Sequence, residues 1–252
     1  MSINDVMGFL TVSIGNGNKL SFVGDKIHTG NDCFISANSI DPDLDYLIFF
    51  DSRGISKGFD DSLVKGVLER LVGKKYIAIC RPLNLTTWAT LYNFLSINNI
   101  NPKVIITNMG FVDFISKKKK LIDEAIRQIE FRFGSSVAHT VFEQNYLLNS
   151  GIAEELYSMV YSPKYLQFVQ EIAERSNLIV LNTPTVKDNI SIPRDRPTCF
   201  FSGIEQSNQF NRKIKGATIL EFGMFDVEQT YDAVHYTVAG NKLIMNQLET
   251  YL

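Results

Sequence analysis

A serine, an aspartate and a histidine stand in this sequence where acyl-transfer chemistry would use them. Ser52 follows directly on the apolar run Tyr46-Leu-Ile-Phe-Phe50 and Asp51, while Asp232 and His235 lie three residues apart near the far end of the chain. A serine hydroxyl is too weakly acidic to attack a carbonyl unaided. It needs an imidazole to take its proton and a carboxylate to orient that imidazole and stabilise its cation. Spacing of three residues on a turn lets the Asp232 carboxylate and the His235 ring face each other. Taken singly, Ser52 reads equally as a serine capping the next turn, and His235 as a hydrogen-bonded histidine at a helix start.

These residues must be positioned by the elements around them. The run 46–50 is continuous and apolar rather than alternating, which suits a strand buried on both faces of a parallel sheet; similar runs recur at 76–80, 104–106 and 178–181. Helical patterns over 60–73, 86–98, 116–133, 152–175 and 237–251 separate or follow them, the fourth interrupted at Ser162-Pro163. Strand and helix in alternation predict a parallel sheet covered by helices, with right-handed crossovers and a ligand crevice at the carboxyl ends of the strands. Ahead of this domain (45–252), residues 1–44 read as a small β extension. Gly15-Asn16-Gly17-Asn18 supplies the turn of a hairpin between strands at 8–14 and 19–23. Residues 183–217 show no periodicity but carry six Lys/Arg against three acids, which predicts a substrate-facing loop or a plain surface loop.

With 252 residues, 45% hydrophobic and 21% charged, the chain can bury a sizeable core, which excludes a disordered or collagen-like protein. A net charge of −2 gives no global basic field for nucleic acid. Cys33, Cys80 and Cys199 are unpaired in spacing and read as small core residues of a protein in a reducing compartment. No apolar run reaches the roughly 18 residues of a membrane span and no signal-peptide pattern opens the chain, so a cytoplasmic location is expected. His, Cys and Asp show no metal-ligand spacing, and no Gly-rich phosphate loop precedes a helix, so neither metal nor cofactor is expected.

Three blocks in order carry a family likeness. Phe49-Phe-Asp-Ser52-Arg-Gly54 resembles the nucleophile block of the SGNH (GDSL) hydrolase superfamily. Gly110-Phe-Val-Asp113 resembles its Gly-x-Asn-Asp block, and Asp232-Ala-Val-His235 its Asp-x-x-His block before the final helix. The resemblance implies an α/β fold, a flavodoxin-like three-layer sandwich, and cleavage or transfer of ester-linked acyl groups. It makes Ser52 the nucleophile, His235 the general base and then acid, Asp232 the residue orienting His235, and the Ser52 backbone N–H an oxyanion donor. Two departures stand out. The segment 79–85 has no glycine where the family takes a second donor, and Val112 replaces the asparagine that supplies a third. The N–H of Leu83, Asn84 or Leu85 is a candidate for the former role, and the Asn108 side chain for the latter.

Beside this site, Arg53, Arg194 and Arg196 are candidates to bind an anionic substrate. Lys117 to Lys120 read as a solvated helix face, Asp113 as a brace for its own loop, Gly30-Asn31-Asp32 as a turn, and Trp88, Tyr92 and Phe94 as core. The expected function is a serine esterase acting on an acylated carbohydrate or surface-polysaccharide precursor, a small-molecule or oligosaccharide ester. The alternatives are a carbohydrate O-acyltransferase with the same triad and a binding protein that has lost the oxyanion hole. The oligomeric state is left open.

Overall fold

The computed structural model of the chain describes residues 20–23, 26–29, 33–39, 43–55, 59–82, 85–147, 151, 153–187 and 196–252. Within these, strands β1 (Leu20–Val23), β2 (Lys26–Thr29), β3 (Cys33–Ala37), β4 (Tyr46–Phe50), β5 (Tyr76–Cys80) and β6 (Val104–Thr107) come first. After them come β7 (Lys117–Lys118), β8 (Ala138–Leu147), β9 (Ala153–Tyr161), β10 (Asn177–Leu181), β11 (Thr185–Val186), β12 (Thr218–Leu220) and β13 (Met224–Phe225). The helices are α1 (Leu63–Leu68), α2 (Trp88–Asn98), α3 (Phe111–Phe114), α4 (Lys119–Phe133), α5 (Pro163–Arg175), α6 (Thr198–Asn211) and α7 (Val238–Leu248).

The main sheet runs β1-β2-β3-β5-β4-β6-β10-β12. From β5 to β12 every pairing is parallel, and counting only these strands the order is 2-1-3-4-5, which is flavodoxin-like. Period-2 alternation sends neighbouring residues to opposite faces. Leu47 and Phe49 of β4, Ile77 and Ile79 of β5, and Leu178 and Val180 of β10 join one buried cluster, packed under α2, α4 and α5. Ile48, Phe50, Ala78, Cys80, Ile179 and Leu181 join the other, packed under α1 and α7. Both faces of the sheet are therefore covered, which is why these strands read as unbroken apolar runs, and the result is the expected three-layer sandwich. Burying each such side chain contributes roughly 1.5–3 kcal/mol.

The strand β3 pairs antiparallel with β5, so β1 to β3 continue the main sheet at its edge. The expected strand over 8–14 and its turn lie outside the described residues, as does Gly30-Asn31-Asp32. The described β1 pairs antiparallel with β2.

Two expectations are corrected. Residues 153–161 are not the first half of a helix over 152–175 but strand β9, paired with β8 along a long antiparallel hairpin. Pro163 then starts α5 at its first turn, with Ser162 extended at ψ 160° before it, so the proline opens a helix instead of interrupting one. The aperiodic stretch 183–217 contains helix α6, whose buried residues include Ser207, Asn208 and Asn211. Its buried face is apolar at Cys199, Phe200, Ile204 and Phe210 but polar at Ser207, Asn208 and Asn211, which breaks the apolar stripe by which a helix shows in a sequence. Of the four lysines 117–120, Lys117 departs from the expected solvated face: it lies in β7, 5% exposed, paired with Tyr157 of β9.

Candidate active site

Ser52 opens a short 3-10 turn, Ser52–Ile55, at the carboxyl end of β4. The turn is held from beneath. The Asp51 carboxylate accepts from the Arg53 backbone N–H at 2.9 Å, from Arg53 Nε at 3.0 Å and from Arg53 Nη2 at 2.8 Å. Arg53 also donates through Nη1 to Thr183 Oγ1 at 2.5 Å and through Nη2 to the carbonyl of Asn108, stitching together the ends of β4, β6 and β10. Its guanidinium stacks 4.6 Å from the centroid of the Phe111 ring. Gly54 follows because a Cβ there would lie 2.5 Å from Phe50 Cβ.

The histidine arrives from the loop before α7. One oxygen of Asp232, Oδ1, accepts the backbone N–H groups of Val234 at 3.1 Å and His235 at 2.8 Å, folding Asp232-Ala-Val-His235 into a tight turn with Ala233 in the left-handed region at φ 66°. The same turn aims the ring: His235 Nδ1 lies 2.9 Å from Asp232 Oδ2, and Nε2 lies 3.2 Å from Ser52 Oγ. Tyr231 stacks on the imidazole with centroids 5.7 Å apart. The approach of α7 behind the loop needs Gly240, where a Cβ would lie 2.2 Å from the carbonyl oxygen of Gln229.

Burial alone would raise the Asp232 carboxyl, but hydrogen bonds from the His235 ring and backbone N–H, with the charges of His235 and Arg196, bring it down to about 2. It is therefore an anion at neutral pH, fit to accept from Nδ1–H and to leave Nε2 facing Ser52 with a lone pair.

The structure brings Ser52, His235 and Asp232 into one hydrogen-bonded line. Of the other expected site residues, Arg196 joins them by pairing with Asp232. Arg194 and Asn84 lie outside the described residues. Arg53 is corrected as a substrate-binding residue: it is fully buried against Asp51, whose charge raises its already high pKa against the opposing effect of burial. Asn108 is corrected as an oxyanion donor. Its Oδ1 accepts from the Asp51 backbone N–H at 2.8 Å and its Nδ2 donates to Asp51 Oδ1 at 3.0 Å, so both ends of the amide serve the strand ends. Asp113 accepts from the Trp88 backbone N–H at 3.3 Å and from the Tyr165 hydroxyl, bracing α2 and α5 as well as its own loop. Burial raises its carboxyl, with the Tyr165 hydrogen bond and Lys117 opposing.

Ser52 and His235 open onto a cleft of about 410 Å³ walled by Leu85, Phe111, Val112, Ile115, Leu156 and Phe200. Val112, where the resembled Gly-x-Asn-Asp block has asparagine, is thus at the cleft with no polar side-chain atom to offer. The hairpin β8–β9 adds Tyr146 and Glu154 to the opposite rim. That wall, and the presence of Lys117 in it, have no signal in the sequence, where residues 153–161 carry no period-2 alternation. A smaller cleft of about 220 Å³, bordered by Tyr92, Arg132 and Glu171, holds none of the three residues. Among the described residues, no group of three His, Cys, Asp or Glu is placed to hold a metal ion, and no helix is long and apolar enough to cross a membrane.

No protein-family model matches the chain, and no curated protein matches it. Among solved structures, it is similar to one assigned as an arylesterase from Agrobacterium tumefaciens, with 13% identity and a TM-score of 0.46, covering 82% of this chain and 96% of that one. It is also similar to one assigned as a GDSL-like lipase from Parabacteroides merdae, at 12% identity and TM-score 0.41 over 83% and 97% of the two chains. An acetyl xylan esterase from Butyrivibrio proteoclasticus gives 10% identity and TM-score 0.38 over 87% and 65%. In the order of its sheet, the order of its three motif blocks and the placing of its serine, histidine and aspartate, the chain resembles the SGNH (GDSL) hydrolases.

Proposed function

We propose that the protein is a serine esterase of SGNH type. The observation that supports this reading is the continuous line from Ser52 Oγ to His235 Nε2 at 3.2 Å and from Nδ1 to Asp232 Oδ2 at 2.9 Å, opening onto an apolar cleft. In this mechanism, Oγ bonds to the ester carbonyl carbon as Nε2 takes its proton, and the π pair of the carbonyl moves onto oxygen. The tetrahedral intermediate collapses by expelling the alkoxide, which leaves as the alcohol with the proton from Nε2. Water then repeats the sequence on the acyl-Ser52 ester, releasing the acid. Asp232 stabilises the imidazolium that forms twice, and the Ser52 N–H donates to the oxyanion. From the family resemblance, the substrate is an acylated carbohydrate or surface-polysaccharide precursor. A sugar hydroxyl in place of water would make the same site an O-acyltransferase.

One observation favours a second reading. Val112 at the cleft, together with Asn108 tied to Asp51, leaves no asparagine among the described lining residues, and a ligand-binding protein with this fold would tolerate that loss. Hydrolysis of p-nitrophenyl acetate by the intact protein, Ser52→Ala and His235→Ala decides between them. The esterase reading expects turnover that both substitutions abolish, with labelling of the intact protein by a fluorophosphonate and none of Ser52→Ala. Equal rates in all three proteins and no labelling overturn it in favour of binding.

A further inference from the structure

A buried lysine borders this cleft with its charge opposed only at longer range, by Asp113. Lys117 is 5% exposed, and its ammonium makes one hydrogen bond, 2.8 Å to the carbonyl of Ile115, itself a cleft residue. An ammonium carries three N–H donors. The other cations of the cleft are engaged: Lys118 pairs with Glu154 at 2.5 Å, and Arg196 with Asp232 at 3.1 Å. Among the described residues, no carboxylate lies within ion-pair distance of Lys117. The nearest acid acting on it, Asp113, does so at longer range, and its two oxygens already accept from Tyr165 and from the Trp88 N–H. Burial depresses the lysine's pKa, as expected of an ammonium held in low dielectric with incomplete compensation.

Burying a charge is costly unless it is paired and hydrogen-bonded. Beyond the Ile115 carbonyl, the side chains of Val112, Ile115 and Leu156 on the cleft wall offer it no acceptor. A carboxylate arriving in the cleft would accept from the two unspent donors and supply the missing charge. A phosphate dianion needs more donors than one lysine provides, and a neutral acyl chain leaves the ammonium as it is. We propose that Lys117 is the recognition point for a carboxylate carried by the substrate ester, a reading that rests on Ser52 being the nucleophile. The carboxylate can stand at the end of a short acyl chain, as in a dicarboxylic acid monoester, or on the alcohol, as in an acylated sugar acid.

Two substrate pairs separate these sources: p-nitrophenyl hydrogen glutarate against p-nitrophenyl valerate for the acyl side, and 4-acetoxybenzoate against phenyl acetate for the alcohol side. The intact protein is expected to favour the carboxylated member of one pair by about tenfold in kcat/KM, and Lys117→Met to lose that preference. Calorimetry of glutarate with Ser52→Ala reads the same site without turnover, with binding expected there and absent in Ser52→Ala/Lys117→Met. If Lys117→Met does not fold, the preference of the intact protein and glutarate binding to Ser52→Ala decide. Ser52-dependent hydrolysis with no preference in either pair and no glutarate binding overturns the Lys117 assignment and leaves the esterase standing. Lys117-dependent glutarate binding without any ester turnover supports the lysine site and overturns the esterase.

Discussion

Arg196 and His235 share one oxygen atom. Oδ2 of Asp232 accepts from Arg196 Nη2 at 3.1 Å and lies 2.9 Å from His235 Nδ1. Arg196 also donates through Nε and Nη2 to the Asp232 carbonyl, at 3.2 and 3.1 Å, while its guanidinium lies 4.4 Å from the centroid of the Phe200 ring. The guanidinium therefore fixes both the main chain and the side chain of the residue that aims the histidine. Arg196, expected from sequence to meet an anionic substrate, meets an anion of the protein.

Arg196→Met is accordingly expected to lower kcat, by about tenfold, with KM for a neutral ester little changed, because the group removed positions Asp232 rather than touching the ester. Steady-state kinetics on p-nitrophenyl acetate give the split. A rise in KM at constant kcat would return Arg196 to a substrate-binding role.

Asp232 also sets an acid limit on stability. Its folded-state pKa of about 2 lies below the ordinary carboxylate value of 3.8, so the stabilisation it contributes is fully present above pH 4 and is lost as the pH falls from about 4 to 2. Urea midpoints measured across that interval are expected to drop in the native protein and to drop less steeply in Asp232→Asn. Parallel curves for the two proteins would place the acid sensitivity elsewhere. The same substitution holds the wrong ring tautomer and is expected to reduce turnover by about 10⁴ at neutral pH.

In the esterase reading, Val112 leaves its place at the cleft without a side-chain donor for the oxyanion. An asparagine at this cleft position would add a donor of the kind whose removal costs about 10²–10³ in rate, so Val112→Asn is expected to raise kcat, by up to about 10²-fold. Single-turnover acylation of Ser52 is the measurement. An unchanged rate would mean that the oxyanion is already fully held by other donors.

Arg53 answers to stability. Removing one partner from a buried, hydrogen-bonded ion pair costs about 3–5 kcal/mol, so Arg53→Met is expected to lower the unfolding free energy from urea titration by that amount, with Asp51 left uncompensated. Arg53→Lys is expected to recover little of it, since one ammonium cannot replace donors that reach Asp51, Thr183 and Asn108 together. A fully stable Arg53→Met protein would contradict this account.

What could be read in advance follows from where the physical signal resides. The strands β4, β5, β6 and β10 announced themselves because burial on both faces demands apolar residues throughout, and the Asp232–His235 spacing because a turn of four residues is local. Helix α6 is hard to read because its buried face is part polar: beside Phe200, Ile204 and Phe210 it packs through Asn208, bonded to both backbone groups of Thr183, and Asn211, bonded to Met109, Asn182 and Trp88. Strand β9 reads as helix because Ala153, Leu156, Tyr157 and Val160 stand at i, i+3, i+4 and i+7, and only the pairing with β8 decides. Arg53 and Asn108 bear residue types common in binding sites, and their burial depends on strand ends that meet only in the fold. The depth of Lys117 was masked by three lysines beside it.

Ser52 and His235 are separated by 183 residues. During synthesis Ser52 therefore emerges long before His235, and a chain released or cut ahead of Asp232 carries a serine with neither that carboxylate nor that imidazole beside it. Any reactivity of Ser52 that depends on His235 therefore begins only once the turn at Asp232 has closed.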